Sequence, residues 1–272
     1  MNVSTEIREE EPPVLLRRHG ETQLIILNRP SKRNALDIPL RNALADAIVQ
    51  CRDDDTVKAV VITGNGDTFC AGGDLAALTE ERRSNFKNRE RIKRLHLWCR
   101  ELINLEKPVI AAVNGFAFGA GFNLALAADF ILVTPQTRFS AVFGRIGLVP
   151  DLGGFFLLPR IVGLQRAKEI VFTARTVDAD EAIRLGIAFA QYPAETLLDE
   201  ALSLAERFWP ASTEAIGLSK TILNQSFNLD QQALADLEAY AQAVVLNSDY
   251  HLAAASRFLA KTPLEFNWDK RR

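Results

Sequence analysis

Apolar positions along the chain follow two rhythms. Residues 57–63, 109–113 and 129–134 are apolar runs with few polar interruptions, the pattern of strands buried on both faces. Between them, apolar residues recur at helical spacing. Leu40, Ala43, Leu44, Ala47, Ile48 and Cys51 share one face of a helix that starts behind Asp37, a favoured cap, with Pro39 in its first turn. Residues 14–18 and 22–28 flank His19-Gly20 and predict a β-hairpin. Residues 80–105 predict a long helix, and 165–174 and 178–185 two short ones, with Gly186 as a stop. Gly144, Gly147, Pro150 and Gly153-Gly154 make 139–154 a loop, after which a helix runs to about Gly163. Residues 187–190 read as a last short strand. From 194 to 260 the pattern is helical, broken near Pro210, 227–230 and 248–250. Residues 1–12 read as a frayed arm.

Strands that alternate with helices imply parallel β units and an α/β fold. The division expected is a core over 1–193 and a helical region over 194–272, either a second layer or an assembly module. A strand–strand–helix rhythm is suggested along the core, without an exact sequence repeat. With 272 residues and 48% hydrophobic content the chain has the material for a large core. A net charge of -2 makes no global case for a nucleic-acid partner. The basic side chains Arg82, Arg83, Lys87, Arg89, Arg91, Lys93, Arg94 and Arg100 are interleaved with Glu80, Glu81, Glu90 and Glu101. Such a helix reads as an ordinary solvated face before it reads as an RNA or lipid surface. Cys51, Cys70 and Cys99 are odd in number and widely spaced, which argues against a disulfide framework and against a CxxC metal site. No apolar run approaches the length of a membrane span, and the acidic start resembles neither a signal nor a transit peptide, so a cytoplasmic protein is expected.

Two segments share one design: a buried strand, a turn of small residues, then a helix. The first is VVIT followed by FCAGGDL; the second is VIAAVNGFAFGAGFNL. Small residues at such a turn let a ligand approach the backbone, and a helix start leaves N–H groups unpaired. If the two strands are neighbours, both turns lie at one sheet edge, and the N–H groups of Gly73 and Ala120 are placed to meet one oxygen. For a single such turn, glycine serving only the turn geometry is the better reading; two matching turns shift the balance.

FCAGGDL and NGFAFGAGFNLALAAD resemble the two signatures of the crotonase superfamily, the enoyl-CoA hydratase/isomerase family. NRPSKRNAL, FGRIGLVPDLGG and FLAKTPLEF extend the resemblance over nearly the whole chain, in the family's order. The resemblance implies a crotonase (ClpP-like) spiral of strand–strand–helix units with C-terminal helices that build a trimer or a pair of trimers. It implies an acyl-coenzyme A thioester as ligand, coenzyme A being part of the substrate and no separate cofactor or metal being needed. The thioester oxygen would sit between the N–H groups of Gly73 and Ala120. Lys32, Arg33, Ala35 and Leu36, with Ala71, Asp74 and Leu75, would hold the adenine and pantetheine. Gly119, Phe116 and Phe143 would lie along the acyl group, with Phe118, Phe122, Phe155 and Phe156 as further candidate walls or plain core. Phe258 and Lys261 match residues that complete a neighbouring subunit's site, although helix packing and a solvated lysine explain them as well. The three histidines, His19, His96 and His251, match no catalytic position and read as structural or surface residues.

Hydratases of this family use two glutamates, and the matching positions here are Asn123 and Phe143. Asp151 instead matches the base of several isomerases of the family. The pattern is most similar to the ring-1,2-epoxyphenylacetyl-CoA isomerase and 3-enoyl to 2-enoyl-CoA isomerase branch. From the residues alone, Asp151 is equally a cap for the helix behind it. Asn123 is either a polar residue at a helix start or a hydrogen-bond donor to substrate or water. The expected function is double-bond isomerisation through an enolate, in fatty-acid or aromatic-acid degradation. The rivals are an enoyl-CoA hydratase, a thioester hydrolase or decarboxylase, and a non-catalytic acyl-CoA or RNA-binding protein.

Overall fold

Both faces of each apolar strand meet another layer, which is why the sequence shows no polar alternation. A computed structural model describes residues 11–76 and 83–269; the expected arm up to residue 10, Glu80, Glu81 and Arg82 lie outside them. The strands are β1 (Val14–His19), β2 (Thr22–Leu27), β3 (Ala59–Gly64), β4 (Thr68–Cys70), β5 (Val109–Val113), β6 (Phe116–Phe118), β7 (Phe130–Val133), β8 (Arg138–Ser140), β9 (Thr176–Asp178) and β10 (Ala190–Gln191). The main sheet has six strands in the order β1-β2-β3-β5-β7-β10, antiparallel at the β1–β2 hairpin and parallel elsewhere. Along β2, β3 and β5, Ile25, Leu27, Val60, Ile62, Ala111 and Val113 enter the larger core. Their alternates Leu24, Ile26, Val61 and Ile110 enter a second core on the opposite face.

Helices close both faces. In chain order they are α1 (Ile38–Asp53), α2 (Asn85–Ile103), α3 (Ala120–Leu126), α4 (Gly154–Val162), α5 (Leu164–Thr173), α6 (Ala179–Arg184), α7 (Leu197–Glu206), α8 (Thr213–Gln225), α9 (Gln231–Leu246) and α10 (Asp249–Leu259). Asp37 caps α1 by accepting from Leu40 N at 2.9 Å. Leu40, Leu44, Ala47, Ile48 and Cys51 then line its buried face. Leu197, Ala201 and Leu204 of α7 cover the second core, so the helical C-terminal part begins packed on the sheet. α9 and α10 bury no residue within the chain. They leave Tyr240, Val244, Leu252, Phe258 and Leu259 exposed.

A second sheet, absent from the sequence reading, has four strands in the order β4-β6-β8-β9; β4, β6 and β8 are parallel and β9 is antiparallel. Each strand of three residues is too short to show a period, and its partners come from distant segments. The chain thus repeats one unit: a main-sheet strand, a short second-sheet strand, then a helix. It runs as β3-β4-α2, β5-β6-α3 and β7-β8-α4. This is the crotonase spiral. Because the short strands are parallel, the turns after β4, β6 and β8 all leave from one edge of the second sheet.

Candidate active site

Three segments meet at that edge. The turn after β4 holds Gly72 and Gly73. Leu36 N donates to Gly72 O at 2.7 Å and Asp74 N donates to Leu36 O at 3.4 Å, so Gly73 bridges Leu36 in parallel register. In such a bridge the opposed residue turns its own N–H to the other side. The turn after β6 places Gly119, with φ at 54°, as the cap of α3 and Ala120 as its first residue. The N–H of a first helical residue has no partner inside the helix. Among the described residues no acceptor takes up Gly73 N or Ala120 N.

The two turns touch through their backbones. Gly72 has φ at +97°, and a Cβ there would lie 2.6 Å from Phe118 O and 3.4 Å from Ala120 N. A Cβ on Gly121 would lie 2.1 Å from Cys70 O. Only glycine permits this approach at either position, so the small residues serve contact between the turns as well as the turns themselves. From the sequence both turns belong to the main sheet; their proximity comes instead from β4 and β6 of the second sheet.

The third segment follows β8. A 3-10 turn over Val142–Ile146 sets Phe143 beside Gly119, where an added Cβ would lie 3.7 Å from the ring. Asp151 comes next. It does not cap α4: the cap is Gly153, without a side-chain bond. Its Oδ1 is buried and has no hydrogen-bond partner. Burial pushes the Asp151 carboxyl above the usual aspartate range, against the opposing charges of His96, Arg41 and Arg91. Among the described residues, the charges that weigh most on it are positive, and its own backbone N–H also favours the ionised form.

Asn123 is buried in α3, and its amide Nδ2 donates to the Asp151 backbone oxygen at 2.8 Å. Gly154 N donates to the same oxygen at 3.0 Å. From α2, Cys99 Sγ approaches Leu152 O at 3.5 Å. The Asn123 side chain therefore holds the aspartate's loop. The sequence offered no sign of this, because the partner lies 28 residues away. Burial raises the thiols of Cys99 and Cys70 to about 12 and of Cys51 to about 11, so all three are protonated at neutral pH.

The segments expected to hold coenzyme A do lie together. Ala71 N donates to Arg33 O at 3.0 Å, beside the Leu36–Gly72 bond. Arg29 adds Ala35 O at 2.6 Å, Asp37 at 3.1 Å and Asp74 at 3.4 Å. Asn34, which the sequence reading passed over, is the knot of this region. It is fully buried with φ at 54°, accepts from Arg29 N at 2.9 Å, and donates to Asn65 O at 3.0 Å and Thr68 O at 2.7 Å. Asparagine's tolerance of positive φ was the only local signal for it. Lys32, Arg33 and Leu75 are exposed beside it.

Other expected residues divide. Phe116 is exposed and packs edge-on to Phe118 at 5.3 Å. Phe122 is fully buried against Phe139 at 5.0 Å and belongs to the core. Phe156 stacks under the Arg160 guanidinium at 3.6 Å. Phe155 is exposed, as are Ile146, Leu148 and Val149 of the Asp151 loop. Phe258 and Lys261 are exposed, and no described hydrogen bond or ion pair joins their side chains to the site. His96 is exposed, as a surface reading expects, and lies within electrostatic reach of Asp151; Arg91 reads as solvated, yet its Nε is buried. Two grooves, of about 520 and 860 Å³, lie elsewhere: one bordered by Phe156, Arg160 and Phe227, the other by Lys107, Glu214 and Tyr250. Neither is lined by Asp151 or by the two turns. No helix among the described residues is long and apolar enough to cross a membrane.

Known proteins match this chain over nearly its whole length. The family model described as "Enoyl-CoA hydratase/isomerase" matches residues 18–270. The crotonyl-CoA hydratase of Syntrophomonas wolfei is 33% identical over 254 residues, 93% of this chain and 97% of that protein. The 1,2-epoxyphenylacetyl-CoA isomerase of Escherichia coli K12 is 33% identical over 244 residues, 89% of this chain and 93% of that one. A crystal structure of an enoyl-CoA hydratase/isomerase from Cupriavidus metallidurans CH34 superposes with a TM-score of 0.92 at 38% identity, covering 97% of this chain and 99% of that one. With the spiral, the paired glycine turns and these matches in agreement, the chain belongs to the enoyl-CoA hydratase/isomerase family of the crotonase superfamily.

Proposed function

We propose that the protein is an acyl-CoA isomerase that moves a double bond from the 3,4 to the 2,3 position of the acyl group. The observation that carries this reading is the buried, unpartnered oxygen of the Asp151 carboxyl. Among the described residues, Asp151 Oδ1 has no hydrogen-bond partner, and the charges that weigh most on the carboxyl, those of His96, Arg41 and Arg91, are positive. Adding water across a double bond needs a base for the water and an acid for carbon, whereas moving the bond needs one group that takes and returns a proton. Asn123, its amide bound to the Asp151 loop, and Phe143, an apolar ring, supply no second proton carrier.

In the proposed sequence, Asp151 takes a proton from C2, and the electron pair flows into the thioester to give an enolate. The N–H groups of Gly73 and Ala120 converge on the enolate oxygen. The protonated Asp151 then delivers its proton to C4 as the carbonyl re-forms. Backbone donors of this kind stabilise the developing charge because they need no reorganisation, and one is worth about 2.7–4 kcal/mol in measured cases. Asn123 fixes where the base stands. The adenine and pantetheine run along 32–36 and 71–75.

The test follows the ultraviolet band of the conjugated thioester. Offered a 3-enoyl-CoA, the protein is expected to make the band grow. Fading of the band from a 2-enoyl-CoA, with no growth from the 3-enoyl-CoA, makes it a hydratase instead. Ala120→Pro removes one proposed donor at the helix position where proline is best accepted, and is expected to lower the isomerisation rate about 10²–10³-fold. A folded variant with an unchanged rate contradicts the oxyanion assignment.

We also propose a homotrimer or hexamer. A 16-residue helix, α9, that buries nothing within its own chain, together with exposed Leu223, Phe227, Tyr240, Val244 and Phe258, supports contact with further copies. In that assembly Phe258 and Lys261 complete a neighbour's site. A monomer by light scattering at micromolar concentration rules this out.

A further inference from the structure

We infer that the inward face of α2, together with Arg41 of α1, reads the far end of the acyl group, and that the group accepted there is anionic: an acyl thioester ending in a carboxylate. The inference rests on the proposed thioester site and names its substrate class.

Arg91, Leu95, Trp98 and Leu102 form one stripe of α2, because residues three, four and seven apart share a helix face. Trp98 and Leu102 are buried, and Leu95 packs against the same core. Arg91 continues this stripe toward the start of the helix, about 10 Å from Trp98 along the axis. Its Nε is buried without a hydrogen-bond partner, and so is the Trp98 indole N–H. A solvated basic face has no reason to turn an arginine inward.

Arg41, on α1 beside α2, lies within the field of Arg91. Its Nε donates to Asp37 O at 3.0 Å, and the rest of its guanidinium has no partner among the described residues. Among the described residues, neither Arg41 nor Arg91 has a carboxylate within 4.0 Å. Asp37, the acid nearest Arg41 in sequence, pairs with Arg29 at 3.1 Å. Asp151 lies within the field of both arginines and bonds to neither. For both guanidinium groups burial lowers the pKa, and Arg91 adds to this at Arg41.

Among the described residues, two partly desolvated cations beside one aspartate leave a net positive charge, with N–H groups unused. Burying cations without partners costs free energy, which a carboxylate of the ligand would offset through charge-assisted bonds. Where Asp151 faces C2, groups clustered around Asp151 lie on the acyl side of the thioester. Coenzyme A's phosphates belong at the other end, near Lys32 and Arg33. If the arginines served only to keep Asp151 ionised, a neutral acyl tail would suit the site equally.

The experiment is calorimetric titration of the full-length protein with two saturated thioesters, which bind without reacting. They carry five-carbon acyl groups, one ending in a carboxylate (glutaryl-CoA), the other in a methyl group (valeryl-CoA). Coenzyme A alone is the third ligand. Glutaryl-CoA is expected to bind about tenfold or more tightly than valeryl-CoA. Arg91→Gln and Arg41→Gln are each expected to reduce that preference to about threefold or less. Equal binding of the two thioesters by the unaltered protein overturns the anionic tail and leaves the isomerase reading standing. Failure of both thioesters to bind overturns both. Weakening of coenzyme A alone by Arg91→Gln, by the same factor as the thioesters, places the arginine on the nucleotide and also overturns the inference.

Discussion

Asp151→Asn is expected to lower isomerisation by about 10²–10⁴-fold while thioester affinity changes by no more than about threefold. The substitution keeps shape and polarity and removes only the ability to hold the moving proton. The loop geometry survives, because Asn123 and Gly154 grip the Asp151 backbone oxygen and not its side chain. The wild-type pH profile follows from the same group. Burial raises the Asp151 pKa, and the base works only when ionised. The rate therefore falls, as pH is lowered, at a pH above the ordinary aspartate value of about 3.9. Stability has the opposite sense. A carboxyl whose folded pKa is raised makes the fold less stable as pH rises from its unfolded to its folded pKa. Asp151→Asn removes that loss, so at neutral pH it is expected to be at least as stable as the unaltered protein. Rate against pH, with urea melts of both forms, checks all of this; a folded Asp151→Asn enzyme within about threefold of full rate moves the base elsewhere.

Asn34→Ala is expected to cost about 3–5 kcal/mol of stability, read as a lower urea midpoint at unchanged slope. Asn34 is fully buried and makes three hydrogen bonds, to Arg29 N, Asn65 O and Thr68 O. Truncation leaves those backbone groups without their partner and places alanine at φ 54°, a conformation that costs a non-glycine residue about 1–2 kcal/mol. Asn34→Gly separates the two effects. It loses the bonds but tolerates the backbone, and is expected to recover about 1 kcal/mol relative to alanine. Because Asn34 ties 29–36 to the turn that leads into β4, affinity for coenzyme A is expected to fall in both variants. A loss below about 1 kcal/mol for Asn34→Ala means that the region is held by the Arg29 ion pairs instead.

The order of elements was legible because it depends on local signals. Asp37 and Pro39 announce α1, and a continuous apolar run announces a strand covered on both sides, as β3 and β5 are by the cores on their two faces. The two glycine turns and the lone Asp151 also stood out, since small residues and a carboxylate in a loop of apolar neighbours are visible without knowing their partners. The second sheet was not legible: strands of three residues carry no period, and β4 finds β6 only after 45 intervening residues have folded into α2 and β5. For the same reason only the tertiary structure decided what Asp151 and Asn123 do with their polar atoms. A carboxylate near a helix start reads as a cap until the fold shows Gly153 in that place. Arg91 shows the limit most clearly. Its residue type and neighbours describe a wet helix face, and only the tertiary structure buries its Nε. Sequence by itself determines which groups the chain owns and where along it they lie. Which of them lose water and come to face one another is set by contacts between distant segments, and that decides their chemistry.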